Sequence, residues 1–322
     1  PRVPPNPVPF RPVEHPGGDQ GNAFVAECCQ DASLTRPAKI CGLNVISPTA
    51  TSQYASSPQN LPEIARQLGV ANILEGTLQS AANSVHVNVQ LIRAATDEHL
   101  WAESYNRKLD DIFAVEGEVA GAIAEQLNAK LSSSEKQQLA VKPTQNQVAY
   151  DAYLRGLAFH GRVDGLAANI FDSIQVFAEA VRLDPEFGLA WAQLSRQQAF
   201  AFVDFEATTE RREAARHALE LAEKLAPNRL ETQLADGYYH YWVEQDFEKA
   251  KQRFEAVRRQ YPNEHSAPEA LAGIARREGE WQRSHELYAQ AIELDPQNVF
   301  LLADATITEM AMRNVVSAEK LL

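Results

Sequence analysis

The sequence predicts a small N-terminal α/β (α+β) domain with a mixed sheet, followed by an all-α solenoid of stacked helix hairpins. Two observations predict it. Across residues 22–147 the apolar period switches repeatedly between two and about 3.6 residues, as in a mixed domain. Beyond that, four segments close on Pro185, Pro227, Pro262 and Pro296, with gaps of 42, 35 and 34 residues, so a unit near 34 residues recurs.

Composition bounds the class. A chain of 322 residues with 45% hydrophobic content suits two or more units with packed cores. No stretch approaches the roughly 20 apolar residues that span a bilayer, and the N-terminus is proline-rich rather than basic then apolar, so any anchor or export signal is expected outside this chain. A net charge of −13 argues against nucleic-acid binding. The pairs Arg211-Arg212, Arg258-Arg259 and Arg276-Arg277 stand among glutamates and read as solvated helix faces, the other reading being a basic groove for an acidic peptide. Cys28, Cys29 and Cys41 cannot form a disulfide framework; a bridge from Cys28 or Cys29 to Cys41 stays open, and a metal site would need a fourth ligand that the spacing does not offer. No metal and no cofactor is expected, and so few cysteines fit a periplasmic or a cytoplasmic setting equally.

Residues 1–21 form a proline-rich arm or linker, with seven prolines in the first sixteen positions. Residues 22–140 are the α/β domain. Within it, residues 43–47 (LNVIS) read as a short strand and residues 61–68 as a helix with Leu61, Ile64, Ala65 and Leu68 on one face, ended by Gly69. Residues 70–79 read as the next strand, and residues 81–84 as a turn. Val85, Val87, Val89 and Leu91 then alternate with His86, Asn88 and Gln90, and residues 98–105 complete an antiparallel meander. An amphipathic helix over residues 110–131 carries Ile112, Val115, Val119, Ile123, Leu127 and Leu131 at three- and four-residue steps. The polar residues 132–147 mark the boundary before the array at 148–322.

The array has a regular grammar. Twelve residues before each proline stand the small residues Ser173, Ala215, Ala250 and Ser284; eight before it, Phe177, Leu219, Phe254 and Tyr288; five before it, Ala180, Ala222, Val257 and Ala291. Small residues let two helix axes approach, the bulky one fills the seam, and proline ends the helix. This pattern resembles the tetratricopeptide repeat, most closely at Gly237, Tyr238, Tyr241, Ala250, Phe254 and Pro262, then at Leu271, Ala275, Ser284, Tyr288, Ala291 and Pro296. About four repeats plus a partial fifth are expected, with an extra loop at residues 161–165, and the array is expected to continue beyond this chain.

Several phrases of the first domain resemble the TolB-like N-terminal domain of bacterial regulatory proteins, which precedes such repeats. They are residues 43–47, 63–70, 73–76, 87–92, 99–103 and 111–113. That family usually follows a protein kinase, a nucleotide cyclase or a winged-helix domain, so the resemblance implies a sensory or assembly module of a signalling protein. The chain departs from it at residues 5–10 (PNPVPF), a poor central strand, and at Pro37, which would cost about 3 kcal/mol inside a helix.

Catalytic motifs are absent: no GxxxxGK[ST], GxGxxG, HExxH, GxSxG or paired CxxC. The chain is therefore expected not to be an enzyme. Its function is expected on the inner surface of the array, which first helices supply and which suits an extended peptide or a partner helix. Candidate peptide-binding residues there are Tyr153, Arg155, Gln193, Arg196, Gln197, Gln233, Asp236, Tyr239, His240 and Arg276. The alternative is a self-assembling subunit that forms a filament through solenoid ends and the N-terminal arm.

Overall fold

The computed structural model describes residues 7–8, 10–11, 44–45, 61–81, 84–108, 112–127, 142–160 and 165–321. The three cysteines, Pro37, Asp110, Asp111, residues 128–141 and residues 161–164 lie outside the described residues, and with them the expectations that rest on them. The chain divides into two compact units, Pro1–Lys142 and Pro143–Leu322.

The first unit opens with two strands described as β1 (Pro7–Val8) and β2 (Phe10–Arg11). β1 pairs in parallel with β3 (Asn44–Val45), and β2 pairs in parallel with β4 (Asn72–Ala81), Phe10 opposite Leu74. β5 (Ser84–Arg93) and β6 (Glu98–Lys108) continue the sheet antiparallel, giving the order β2-β4-β5-β6. The mixed sheet and meander are as the alternation predicts. β4 starts two residues later than expected because Val70 belongs to the end of α1 (Leu61–Leu68): Gly69 adopts φ 66°, and Val70 N–H donates to the Ala65 carbonyl at 2.9 Å. A bulge sets Leu91 opposite Trp101 but Ile92 opposite His99.

Both faces of this sheet are covered. Ile73 packs with Ile64, Ala65 and Leu68 of α1, whereas its neighbour Leu74 joins Val89, Leu91 and Tyr105 against Val119, Ala120, Ile123 and Ala124 of α2 (Ile112–Gln126). Along β5 the polar residues form a cross-strand ladder: Asn88 Nδ2 donates to Thr77 Oγ1 and Gln90 Nε2 to Glu75 Oε2, each at 3.0 Å.

The second unit is five successive helix hairpins: α3 (Gln147–His160) with α4 (Leu166–Leu183), α5 (Gly188–Asp204) with α6 (Thr209–Leu225), α7 with α8 (Phe247–Gln260), α9 (Ser266–Arg277) with α10 (Trp281–Leu294), and α11 (Val299–Ala311) with α12 (Val315–Leu321). α7 is α-helical over Leu230–Tyr238 and π-helical over Tyr239–Glu244, after which Gln245 turns to φ 55°. The small–large–small register predicts the seams: Ser173, Phe177, Ala180, Ala215, Ala222, Ala250, Phe254, Val257, Ser284 and Ala291 are all fully enclosed, and Leu219 and Tyr288 nearly so. Of the two serines at the small position, Ser284 donates across the seam, its Oγ to the Ala272 carbonyl at 2.9 Å, whereas Ser173 Oγ donates to the Ile170 carbonyl of its own helix at 2.8 Å. Among the described residues side-chain caps start four helices: Asn146 Oδ1 accepts from Ala149 N–H, Thr208 Oγ1 from Arg211 N–H, Asp246 Oδ1 from Lys249 N–H, and Asn298 Oδ1 from Phe300 and Leu301 N–H.

Candidate functional site

The first helices α5, α7, α9 and α11 follow one another through mutual contacts, so residues at matching turns of each helix form rows across the array. At the α5–α7 junction the guanidinium of Arg196 lies 4.7 Å from the ring centre of Tyr238. Arg196 pairs with no carboxylate among the described residues, and its Nε is buried without a hydrogen-bond partner. Two more polar atoms on these two helices are buried and unpartnered: Gln193 Oε1 on α5, in a side chain 9% exposed, and Thr232 Oγ1 on α7, in one 2% exposed. Buried polar groups ordinarily find partners, so this donor, acceptor and hydroxyl stand out.

One step along the array, α9 carries His265 and Glu269. His265 Nδ1 stands 3.8 Å from Glu264 Oε1 and 3.9 Å from Asp295 Oδ2, and its Nε2 stands 3.9 Å from Glu269 Oε2. Burial opposes charge on this imidazole, but Asp295, Glu264 and Glu269 outweigh it and raise its pKa. Burial dominates at Glu269 and pushes its carboxyl up to about 7, against the pull of His265 and Arg196. Further on, Arg276 donates to the Asp304 carbonyl at 2.9 Å and to its carboxylate at 3.0 Å, while Arg277 Nε donates to Tyr241 Oη at 3.1 Å. Gly273 makes room for that tyrosine, since a Cβ there would lie 2.7 Å from its hydroxyl.

The sequence-predicted residues fall into three groups. Arg196, Gln193 and Gln197 come together on α5, with Gln197 fully buried. Asp236, Tyr239 and His240 share α7 and its π-helical turn, but in other contacts. Asp236 takes Arg253 Nε at 2.7 Å and His240 Nε2 at 3.3 Å, and its pKa is raised by burial. Tyr239 Oη donates to Glu244 at 2.9 Å. The rest contact other residues of the array. Tyr153 is a core residue, its ring 5.0 Å from that of Phe187 and 5.8 Å from that of Phe177; Arg155 pairs with Glu179 at 2.8 Å and Asp151 at 3.3 Å; Gln233 donates to Gln260 at 3.1 Å. Arg276 is neutralised by Asp304, as above. Sequence reasoning missed Tyr238, His265 and Glu269 as members of the rows; Tyr238 was legible as a repeat residue, but the others depend on which face of α9 meets the next hairpin.

The first unit has an open cleft of about 870 Å³ between α1, the ends of β4 and β5, and α2. Among the described residues its lining includes Arg66, Arg93, Leu100 and Leu127 but no aspartate, glutamate, histidine, cysteine or serine. Arg66 is engaged by Glu63 and Arg93 by Glu98. Among the described residues no helix is long and apolar enough to cross a membrane.

No family model matches the chain. Over 206 residues, 64% of its length, it is 30% identical to a Rhizobium meliloti (strain 1021) protein named "Putative adenylate cyclase 3". The chain spans 34%, about a third, of that relative. Among solved structures it is similar to Pseudomonas aeruginosa PilF, at 16% identity and a TM-score of 0.38 over 66% of this chain and 88% of that one. It is also similar to yeast Tom70, at 14% identity and a TM-score of 0.34 over 66% of this chain and 49% of that one.

Proposed function

We propose that the chain is a non-catalytic protein-interaction module of a bacterial signalling protein, in which the first helices of the array hold a segment of a partner protein. The observation that carries this reading is the presence, on the neighbouring first helices α5 and α7, of buried, unpartnered groups: Arg196 Nε, Gln193 Oε1 and Thr232 Oγ1. A bound segment would satisfy them: a carboxylate on Arg196, a backbone N–H on Gln193, and a carbonyl or N–H on Thr232. The residues Tyr153, Arg155, Gln197, Gln233, Asp236, Tyr239, His240 and Arg276 belong to the same proposal in the positions described, with Arg196 and Gln193 at its centre.

The signalling assignment draws on the resemblance of residues 43–131 to TolB-like domains, joined to a tetratricopeptide-like array, and on the cyclase name of the Rhizobium relative. In this reading the first unit is a sensor or spacer, and nucleotide chemistry, where a longer protein carries it, lies outside these two units.

Selection of random peptides displayed on phage against the whole chain tests the reading. Peptides that carry carboxylates and bind in proportion to displayed acid are expected, with binding lost on Arg196→Ala and retained on Arg259→Ala, a control on α8. Failure to enrich any sequence, or enrichment indifferent to Arg196, would overturn it.

A further inference from the structure

The cleft of the first unit plays no part in peptide capture by the array, yet its lining has a definite chemistry. Among the described residues its polar members are two arginines and two carboxamides, Arg66, Arg93, Asn72 and Gln126, and the larger apolar ones are Val70, Leu100 and Leu127. The lining is thus cationic in a chain of net charge −13. The acids that engage the arginines lie outside it: Glu63 reaches Arg66 at 2.6 Å from one turn earlier on α1, and Glu98 reaches Arg93 from the facing strand β6. All four side chains are at least 45% exposed. Ion pairs so exposed are weak, and a ligand that brings its own acid can replace them.

Asn72 adds a second observation. It stands directly opposite Arg93 in the β4–β5 ladder, which puts the two side chains on one face of the sheet. It is 4% exposed and lines the cleft, and among the described residues its carboxamide makes no hydrogen bond. An enclosed amide ordinarily finds a partner, so this one has its donor and acceptor free for a ligand. We propose that the cleft binds a small organic acid: a carboxylate between Arg66 and Arg93, an apolar body against Val70, Leu100 and Leu127, and a hydroxyl or carbonyl on the Asn72 amide. Guanidinium groups suit carboxylate and phosphate alike. The cleft also takes the C-terminal end of α2 at Gln126 and Leu127, however, and the partial negative charge there suits one incoming charge better than two. A volume of about 870 Å³ has room for a ligand well beyond a simple ion.

The site belongs to the first unit alone, so its test does not depend on the groove at Arg196. Methyl-detected NMR on the whole 322-residue chain is the measurement, with para-hydroxyphenylpropionate as the probe and its primary amide and phenyl phosphate as comparators. The acid is expected to shift the methyl signals of Val70, Leu100 and Leu127 saturably, with half-saturation at about 1 mM, and to bind more weakly as salt is added. The neutral amide should bind about tenfold more weakly, and phenyl phosphate no more tightly than the acid. Arg66→Gln and Arg93→Gln alter exposed side chains and should each weaken the acid about fivefold or more. Glu98→Gln releases Arg93 and should tighten binding, a change that damage to the fold does not produce. Arg259→Ala, on α8, should change nothing. The absence of a saturable shift, equal binding of acid and amide, or binding indifferent to both arginines would overturn the proposal. Tighter binding of phenyl phosphate would overturn the choice of a carboxylate.

Discussion

Gly237 of α7 lies directly beneath the ring of Phe254 of α8: a Cβ on the glycine would fall 2.7 Å from Cε1 and 2.8 Å from Cζ of the phenylalanine. The first hairpin repeats the relationship, with Gly156 of α3 beneath Phe177 of α4 at 2.5 Å. Each pair closes its hairpin at the point where the bulky residue of the seam meets the facing helix.

Gly→Ala inside a helix ordinarily stabilises by up to about 1 kcal/mol. Here the sign should reverse. Both phenylalanines are fully buried, so neither ring has room to move, and Gly237→Ala and Gly156→Ala should each cost about 1–3 kcal/mol. Urea denaturation with an unchanged m-value checks it; a gain in stability would mean that the hairpins are not closed in this way.

Ser284 tests the small position of the same seam. Its hydroxyl donates to the Ala272 carbonyl, so Ser284→Ala loses one hydrogen bond and should cost about 1 kcal/mol. Ser284→Leu keeps the helix propensity but holds α9 and α10 apart, and should cost clearly more. Equal thermal stability for the two variants would show that helix approach does not depend on a small residue there.

His265 and Glu269 give the junction of the fourth and fifth hairpins a pH dependence. A raised histidine pKa contributes stability in full below its unfolded value of about 6.5 and loses it as pH rises through the folded value. Glu269, pushed up to about 7, favours the neutral carboxyl in the folded state, so its contribution is complete below about 4.3 and is lost as pH climbs toward 7. The two signs agree, with Glu264, Asp295, Asp304 and Arg196 as the charged neighbours of this pair. Amide exchange in α9 and α11, corrected for the intrinsic pH effect, should show weaker protection at about pH 8 than at about pH 5, and Glu269→Gln should flatten the difference. Stronger protection at the higher pH would reverse the assignment.

Much of the fold was legible from spacing alone. Residues twelve, eight and five before each proline all reached the seams because an α-helix returns them to one face, whatever the tertiary detail. The alternation of β5 likewise placed the meander. What spacing could not show was the second covered face: Ile73 and Leu74 are adjacent apolar residues, and only α1 docking on one side and α2 on the other gives each a core of its own. The candidate site was legible in part for the same reason. Arg196 and Gln193 follow from helix position, but whether an arginine finds an acid depends on long-range neighbours. Asp304 reaches Arg276 from 28 residues away in sequence, Glu179 reaches Arg155 from 24, and among the described residues no carboxylate forms an ion pair with Arg196.

Whether the first helices hold an acidic segment is tested most directly by hydrogen exchange on the whole chain with and without a peptide selected as above. Slowed exchange concentrated in α5, α7 and α9, absent from β4 to β6 and abolished by Arg196→Ala, is the expected result. Protection confined to the second helices or to the N-terminal unit, or protection that Arg196→Ala leaves unchanged, would contradict it.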